Sequence, residues 1–314
     1  MQTVLITGGL GFLGRHLALK LKDKHNVILG TRNNENNQAV QKNIGCTVFP
    51  LDITNTSSID DTIRQFKPDI IIHAAATKLV DVSERFPMEC IDVNIVGSQN
   101  IARAAIENKI KTVIGISSDK AAPPISNIYG HSKAIIERTF SSLSNSNEIN
   151  FVSVRLGNIA WSTGSVFQIW QRMEKEGLIG STGPHMRRFV FSVNEAADLV
   201  IRAMNNAEEL RGGILSLKMK SVQIQTILEV WSKLKNIPWK QIEGRPGDSI
   251  DDVLVGKTEL LYAKEILVDG LNHYYINFNT RIKDTKLEEE VSTENAERLN
   301  EDEISKLILN QPLH

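Results

Sequence analysis

The stretch from Ser117 to Lys133 contains a phenol and an amine at a spacing that could move protons. Tyr129 and Lys133 are four residues apart, so they share one face if the chain is helical from Ile128 onward. A free phenol has a pKa of about 10, and a nearby lysine ammonium lowers it. Tyr129 could then take a proton from a sugar or alcohol hydroxyl while a hydride leaves the same carbon. The same spacing also arises by chance on ordinary helices.

A second group of polar residues follows the apolar run Thr112–Ile116, which predicts a strand. Ser118, Asp119 and Lys120 come directly after this run. Together with Tyr129 they bring a hydroxyl, an acid, an amine and a phenol to one strand end. An adjacent acid and base can serve opposite ends of one elimination if their pKa values are held apart. A solvated ion pair in a loop is the alternative interpretation of the acid and the amine.

A glycine-rich turn near the N terminus predicts a dinucleotide site. The β-branched run Thr3–Thr7 is typical of a strand, and a helical pattern follows the turn. The order strand, glycine turn, helix separates this motif from a plain glycine turn. Glycines there let the backbone approach a pyrophosphate, and the first amides of the helix hold the phosphates. The residues predicted to bind the cofactor in this turn are Thr7, Gly8, Gly11, Phe12, Leu13 and Gly14.

The end of the second predicted strand, Asn26–Leu29, favours NADP over NAD. A cofactor without a 2′-phosphate usually meets an acidic residue here, bonded to the ribose hydroxyls, and none is present. Gly30 leaves room, Thr31 offers a hydroxyl, and Arg32 offers a fork suited to phosphate. A solvated surface arginine is the alternative for Arg32. NADP is therefore the predicted cofactor, and NAD is the less favoured one.

Two further strand ends add predicted cofactor contacts. Asp52 and Ile53 follow a short third strand, where an acid often faces the adenine, although a solvated turn aspartate fits as well. The buried strand that begins at Asp69 opens into small residues, which let a nicotinamide ribose lie against the backbone. His73 in this strand is predicted to be a packed residue and not a catalyst. The small residues predicted to contact the cofactor are Ala74, Ala75 and Ala76.

Composition argues against several classes of protein. The 314 residues suit one large or two modest domains, and the net charge of −1 gives no broad electrostatic surface for nucleic acid. No apolar run approaches the roughly 20 residues that span a bilayer, and no signal peptide opens the chain. Cys46 and Cys90 stand in different elements, which favours a reducing cytosol, and the histidines lack metal-ligand spacing. We expect a cytoplasmic enzyme without metal, nucleic-acid partner or membrane insertion.

Strands and helices alternate up to about Val154, which predicts an α/β fold with a doubly wound, Rossmann-like parallel sheet. Such sheets bind ligands beyond the carboxyl ends of their strands, where the three groups of residues described above fall. We predict a dinucleotide-binding domain over residues 1–155. A smaller, mainly substrate-binding cap is predicted over 156–282, threading back into the sheet. An acidic tail is predicted over 283–314, ending in a helix at Glu301–Leu309.

These motifs resemble the extended short-chain dehydrogenase/reductase superfamily and, more narrowly, its soluble UDP-N-acetylglucosamine 4,6-dehydratases. The resemblance covers nearly the whole chain. Its most discriminating part is the Asp-Lys pair directly after the hydroxyl residue, because ordinary 4-epimerases of the superfamily usually lack it. The segments that carry the resemblance are residues 7–14, 73–78, 87–90, 94–97, 117–121, 129–133, 155–158, 164–166, 186–189 and 245–247.

The resemblance implies a role for each catalytic position. Tyr129 is expected to take the proton of the C4 hydroxyl with the help of Lys133, while Ser118 bonds the C4 oxygen. Lys120 is expected to remove the C5 proton, which the transient C4 ketone makes acidic. Asp119 then protonates the departing C6 hydroxyl. The hydride returns to C6, leaving a 4-keto-6-deoxy sugar and an unchanged cofactor.

The resemblance also implies binding residues and an assembly. Lys78 and Asn94 are expected at the cofactor, together with Tyr129 and Lys133. The residues expected at the nucleotide-sugar are Lys78, Asn158, Arg188 and Arg245, with Arg245 on the diphosphate. Members are often dimers or larger, so a homo-oligomer is expected.

Two departures from the family pattern bear on the substrate. An arginine is missing before Gly164, and Ser249 stands where the family has a lysine, so the nucleotide and the sugar stay open. A 4-epimerase or a 4-keto reductase of the same superfamily is the first alternative function. A non-catalytic NADP-sensing protein is the second, but it predicts a missing tyrosine or lysine. The prediction is an NADP-dependent nucleotide-sugar 4,6-dehydratase of surface polysaccharide or glycan biosynthesis.

Overall fold

The first half of the chain builds a parallel sheet flanked by helices. The structure, a computed structural model, describes residues 1–32, 44–243, 249–283 and 287–312. The strands described in this half are β1 (Thr3–Thr7), β2 (Asn26–Thr31), β3 (Thr47–Pro50), β4 (Ile70–His73), β5 (Thr112–Ser118) and β6 (Asn150–Leu156). Its helices are α1 (Phe12–Leu21), α2 (Thr56–Phe66), α3 (Val80–Arg85), α4 (Pro87–Cys90), α5 (Gly97–Glu107) and α6 (Ile128–Ser146). A π-helical segment (Ile91–Val96) joins α4 to α5, and a 3₁₀ turn (Asp119–Ala121) follows β5.

The second half extends this sheet and adds small sheets beside it. Its strands are β7 (Asn158–Ile159), β8 (Ile179–Ser181), β9 (Arg187–Phe191), β10 (Ile214–Leu217), β11 (Ser221–Gln223), β12 (Trp239–Gln241), β13 (Val253–Val255), β14 (Ala263–Val268), β15 (Leu271–Ile276) and β16 (Val291–Ser292). Its helices are α7 (Val166–Glu174), α8 (Val193–Asn205), α9 (Ile224–Lys235) and α10 (Glu301–Leu309), with a 3₁₀ helix at Lys257–Tyr262.

The main sheet has the strand order β14-β15-β10-β6-β5-β4-β1-β2-β3. The run from β3 to β6 is parallel, β10 pairs parallel with β6, and β15 and β14 complete the edge in antiparallel pairing. Strands from both sides of residue 155 therefore share one sheet. The domain boundaries drawn from the sequence stay a prediction.

Helices cover both faces of the sheet, which explains the continuous apolar runs of its strands. In β1, Val4 and Ile6 face one core, which also takes side chains of α1 and α8. Leu5 points the other way, into a core shared with α2, α5 and α6. Both faces are thus buried, as in other doubly wound sheets. The predicted α/β, Rossmann-like fold is confirmed.

A third core lies beside the sheet and is built around an aromatic cluster of Trp161, Phe167, Trp170 and Trp231. The ring centres of Trp161 and Trp231 are 5.6 Å apart, within the range of favourable aromatic pairs. Helix α10 packs on this core, and the indole N–H of Trp161 donates to the Leu307 carbonyl at 2.8 Å. Strand β16 also pairs with β13. The described part of the predicted tail is therefore packed against the rest of the chain.

Candidate active site

A cleft of about 1030 Å³ opens where the parallel strands β1, β2, β4 and β5 end. It brings together the glycine turn, the predicted adenine contacts and the stretch that ends at Lys133. The predicted site residues that line it are Gly8, Gly11, Phe12, Leu13, Gly14, Thr31, Arg32, Asp52, Ile53, Ala74, Ala75, Ala76, Lys78, Ser118, Asp119, Lys120, Tyr129, Lys133 and Asn158. Most of the predicted set, drawn from distant parts of the sequence, thus faces one space.

The glycine turn has the backbone shape that a dinucleotide site requires. Gly8 has φ +67°, and a Cβ placed there would lie 2.9 Å from the Cα of Ala75. Only glycine lets the turn lie so close to the end of β4. Helix α1 begins after Gly11, which provides no side-chain cap for its first turn. The turn therefore fits a pyrophosphate.

Thr7 lies behind the lining of the cleft. Its hydroxyl contacts Nδ1 of His73 at 2.8 Å and accepts the Ala75 amide at 3.2 Å. Nε2 of His73 contacts the hydroxyl of Ser98 at 2.9 Å. Burial, reinforced by Lys133, lowers the pKa of His73 to about 3, so the ring is neutral. Thr7 and His73 fix the strand ends under the small residues that follow β4.

Asn94 also lies one layer below the surface of the cleft. Its amide oxygen accepts the Thr77 amide at 2.9 Å, and its amide nitrogen donates to the Ser132 hydroxyl at 3.0 Å. It therefore joins the loop after β4 to helix α6. The polar atoms of Asn94 have partners within the chain, and the cofactor contact predicted for it stays a prediction.

The end of β2 carries no acid, and an acid stands at the end of the neighbouring strand instead. Leu51 packs over Gly30, so a side chain at that position would need Leu51 to move. Asp52 accepts the amide and the hydroxyl of Thr54 at 2.9 and 2.8 Å. These hydrogen bonds lower the pKa of Asp52, and the Arg32 charge adds to the effect. Arg32 and an ionised carboxylate thus share this end of the cleft.

Helix α6 begins beside the 3₁₀ turn because its first residues are capped and small. The Asn127 side chain accepts the Gly130 amide at 2.7 Å, and Glu84 accepts the Ile128 amide at 2.7 Å. A Cβ on Gly130 would collide with the carbonyl oxygen of Lys120. Glycine at this position therefore lets the helix start lie directly against the turn.

Tyr129 and Lys133 share a helix face, as predicted, but the ammonium does not bond the phenol. Nζ of Lys133 donates to the Ile116 carbonyl at 2.8 Å and lies 5.9 Å from the centre of the Tyr129 ring. Burial lowers the pKa of Lys133 to about 8, against the opposing effect of Cys90 and Glu137. Burial also raises the pKa of Tyr129, although a hydrogen bond with Ser118 opposes the rise. The expected lowering of the tyrosine pKa is therefore wrong for this structure, because desolvation by burial outweighs the hydrogen bond with Ser118.

Asp119 and Lys120 form an ion pair at the end of β5, in which Asp119 is buried and Lys120 is partly exposed. The Ser118 hydroxyl donates to Asp119 at 2.8 Å, and Nζ of Lys120 donates to the same carboxylate at 3.3 Å. Asp119 is only 4% exposed, which excludes the alternative of a solvated loop ion pair. Burial raises the pKa of Asp119, and Asp252 adds to the rise while Lys120 opposes it. A carboxyl with a raised pKa is suited to donate a proton.

Lys120 is held as an ammonium. Its Nζ lies 2.7 Å from an oxygen of Asp252, a residue that the sequence did not single out. Burial alone lowers the pKa of a lysine, but the carboxylates of Asp119 and Asp252 outweigh it and raise the pKa of Lys120. A proton must leave Nζ before the side chain can act as a base.

The predicted substrate residues divide into separate groups. Asn158 lines the cleft and donates to the Phe189 carbonyl at 3.1 Å, and Lys78 lines it with a pKa lowered by burial. Arg188 is not among the lining residues. Its guanidinium donates to the Ser249 carbonyl at 3.0 Å and lies 3.5 Å from Asp252, so it braces that segment of the chain. Arg245 falls outside the described residues.

Sequence reasoning also missed a buried ion triad behind the site. The guanidinium of Arg155 lies 2.6 Å from Glu137 and 2.9 Å from Glu259, and the Ser117 hydroxyl donates to Glu137 at 2.6 Å. Arg155 lies in one of the segments that carry the family resemblance. That resemblance singles out the position but does not indicate that Glu137 and Glu259 are its partners. Nothing in the sequence distinguishes Asp252 from its neighbour Asp251, which is the same residue type in the same loop.

Within residues 1–32, 44–243, 249–283 and 287–312, no helix is long and apolar enough to cross a membrane. In that same part of the chain, no three His, Cys, Asp or Glu side chains are grouped so that they could hold a metal ion.

The chain is similar to known proteins over most of its length. The family described as polysaccharide biosynthesis protein matches residues 4–267. A UDP-glucose 4-epimerase of Rickettsia bellii (strain OSU 85-389) is 31% identical, over 98% of this chain and 96% of that protein. The X-ray structure of Pen from Bacillus thuringiensis is 30% identical over 99% of this chain and 97% of that one, with a TM-score of 0.88.

A more distant structure shares the fold. The UDP-glucose-4-epimerase from Stenotrophomonas maltophila, with bound NAD and formylated UDP-arabinopyranose, has a TM-score of 0.71. It is 18% identical, over 80% of this chain and 88% of that one. The family match, the similarity to the Rickettsia enzyme and the cleft all agree with the superfamily predicted from the motifs. The chain belongs to the polysaccharide biosynthesis protein family, and with it to the extended short-chain dehydrogenase/reductase superfamily of nucleotide-sugar epimerases and dehydratases.

Proposed function

We propose that the protein is a nucleotide-sugar 4,6-dehydratase with a nicotinamide dinucleotide as a recycled hydride carrier. The observation that carries this proposal is the pair of buried Asp119 and partly exposed Lys120, hydrogen-bonded at 3.3 Å beside Ser118 and Tyr129. An elimination across C5 and C6 of a sugar needs an acid and a base at neighbouring carbons. An epimerization at C4 breaks no bond at C5 or C6, so it needs no acid and base at those carbons.

The residues around the glycine turn fit the dinucleotide. The N terminus of α1, which lines the cleft and has no side-chain cap at Gly11, suits its pyrophosphate, and the small residues Ala74, Ala75 and Ala76 leave space along the end of β4. When bound, the nicotinamide supplies a hydride acceptor for C4 and a hydride donor for C6. The chain then has to move protons and to hold the sugar in place.

Four side chains carry the proton steps. Tyr129, once ionised, accepts the proton of the C4 hydroxyl, and the Ser118 hydroxyl donates a hydrogen bond to the C4 oxygen as the ketone forms. Lys120, once neutral, takes the proton from C5, and the electron pair of that C–H bond forms the C5–C6 double bond. The C6–O bond breaks as Asp119 protonates the oxygen, and water leaves. After hydride reaches C6, the Lys120 ammonium returns a proton to C5, giving a 4-keto-6-deoxy sugar.

The nucleotide-sugar lies across the cleft toward Asn158 and Lys78 in this proposal. Both side chains line the cleft, and Lys78 has a pKa lowered by burial with no carboxylate among the causes. An anionic diphosphate beside Lys78 would favour its charged form. Surface polysaccharide or glycan biosynthesis is the proposed pathway class, in agreement with the family description.

A 4-epimerase is the second candidate, because the Rickettsia relative carries that name. A panel of UDP-, dTDP- and GDP-linked sugars, analysed by mass spectrometry, separates the two reactions. The dehydratase gives a product lighter by one water, and we expect it with a UDP-N-acetylglucosamine-like substrate. A product of unchanged mass with inverted C4 would show an epimerase instead.

NADP is the proposed cofactor, although the Stenotrophomonas structure holds NAD. The proposal rests on the absence of an acid at Gly30 and on Arg32 at the cleft. Arg32→Ala should weaken NADP binding about ten- to a hundredfold and change NAD binding little, since charged hydrogen bonds contribute about 1.5–3 kcal/mol. Fluorescence titration with both cofactors measures this, with Arg64→Ala on the exposed face of α2 as control. Equal losses for both cofactors would count against NADP.

A further inference from the structure

Asp252 holds a buried place between two cations and has no part in the proton steps described above. One oxygen of its carboxylate lies 2.7 Å from Nζ of Lys120 and 3.5 Å from Nε of Arg188. Its side chain is 1% exposed. A carboxylate buried this deeply is stable as an anion only when cations or donors surround it.

The chain fixes this carboxylate from several sides. The backbone amide of Asp252 donates to the Thr293 hydroxyl at 3.0 Å, and the Thr293 amide donates back to the Asp252 carbonyl at 2.8 Å. The Ser249 hydroxyl donates to the other carboxylate oxygen at 3.2 Å. The anion is therefore held in place by the C-terminal part of the chain, while Lys120 comes from the end of β5.

Arg188, Asp252, Lys120 and Asp119 form a row of alternating charges. The ionised groups that face Lys120 are the carboxylates of Asp119 and Asp252 and the guanidinium of Arg188. The 2.7 Å contact pairs the Lys120 ammonium with the Asp252 carboxylate and stabilises its charged form.

We propose that Asp252 is a positioning residue that keeps Lys120 protonated at the reacting end of the cleft until the sugar enters. The role of the pair Asp252 and Lys120 in catalysis rests on the proposed dehydration. To reach C5, the Lys120 amine has to move away from Asp252, which removes the charge that favours its ammonium form. Its proton can then pass along the existing hydrogen bond to Asp119. This single transfer produces both the neutral base and the protonated acid that the elimination needs.

The protonation of Lys120 can be measured without turnover. Trace acetylation of the whole protein with acetic anhydride over a pH series, analysed by peptide mass spectrometry, gives the pH midpoint at which each lysine becomes reactive. In Asp252→Asn we expect the Lys120 midpoint to fall by about one pH unit or more, because an opposite charge has been removed. Asp251→Asn is the matched control, since Asp251 pairs with Arg187 at 2.5 Å on the partly exposed side of the same segment. Its Lys120 midpoint should equal that of the unchanged protein.

A second variant shifts the midpoint the other way. Arg188→Gln removes the cation that competes for Asp252, so the Lys120 midpoint should rise. An unchanged Lys120 midpoint in a folded Asp252→Asn protein would overturn the proposal. If Asp252→Asn does not fold, an unchanged or lowered midpoint in Arg188→Gln would overturn it.

Turnover separates this proposal from the proposed function. If the protein is a dehydratase, the pair of Lys120 and Asp119 must keep one proton, so the decline of kcat/KM at high pH should begin at a lower pH in Asp252→Asn than in the unchanged protein. A dehydratase whose Asp252→Asn variant keeps both the midpoint and the pH profile has no such positioning residue. A shifted midpoint in a protein that never releases water supports the pairing and contradicts only the dehydration.

Discussion

Tyr129 and Lys133 show how far residue types predict chemistry at this site. Their spacing on one helix could be predicted from the sequence, and the structure places both at the cleft. Their charges could not be predicted, because they depend on neighbours from other elements. The Ile116 carbonyl binds the ammonium, and burial acts on both groups more strongly than they act on each other.

The pKa of Lys133 gives a pH dependence with a definite sign. Burial lowers this pKa to about 8, so the side chain is charged below that pH and neutral above it. The ammonium favours the phenolate of Tyr129, and kcat/KM should therefore fall as the pH rises through about 8. A pH profile of kcat/KM measures this. In Lys133→Gln the residual rate should no longer decline over the same range, and an identical decline there would assign it to another group.

Elements that are far apart in the chain are joined behind the site by the triad of Arg155, Glu137 and Glu259. Arg155 lies on β6, Glu137 on α6, and Glu259 on the 3₁₀ helix that precedes β14. The guanidinium also donates to the Leu254 carbonyl at 2.7 Å. Helix α6 carries Tyr129, and β13 directly follows Asp252. The triad therefore connects the helix that holds Tyr129 to the segment that holds Asp252.

Loss of Arg155 should therefore destabilise the fold. Arg155→Met leaves two buried carboxylates without their cation, and the free energy of unfolding should fall by about 3–5 kcal/mol. Adding Glu137→Gln and Glu259→Gln to this variant should recover much of the loss. Urea unfolding followed by circular dichroism measures both. Lys233→Gln, in an exposed pair with Glu301, is the control and should unfold like the unchanged protein. An Arg155→Met protein of unchanged stability would contradict this account.

The apolar periodicity of the sequence predicts where the helices lie better than it predicts the hydrogen-bond pattern within them. The final helix covers Glu301–Leu309 in the sequence prediction and in the structure. The amphipathic pattern of residues 88–108 is typical of one crossover helix, but the structure divides this stretch into α4, the π-helical segment and α5. Apolar spacing does not distinguish these hydrogen-bond registers. The π-helical segment carries Asn94, whose side chain joins the loop after β4 to α6.

For the whole molecule, the sequence predicts the class of fold and the superfamily because both depend on local motifs in a fixed order. It does not predict contacts that form only after the chain returns to the sheet. The ion pair between Lys120 and Asp252 is of this kind. The return of the chain to the sheet is expected from the sequence, but the strand it pairs with, β6, is not. The aromatic cluster that receives α10 also joins segments far apart in the sequence.

The measurement that tests the proposed dehydration most directly is turnover in deuterated water. Breaking the C5–H bond and later protonating C5 from solvent should place one deuterium at C5 of a product lighter by one water. Mass spectrometry gives the mass, and nuclear magnetic resonance gives the position of the label. Lys120→Ala should form no such product, since general bases contribute about 10²–10⁴ in rate. A product of unchanged mass with inverted C4 and no deuterium on carbon, or normal dehydration by Lys120→Ala, would contradict the account.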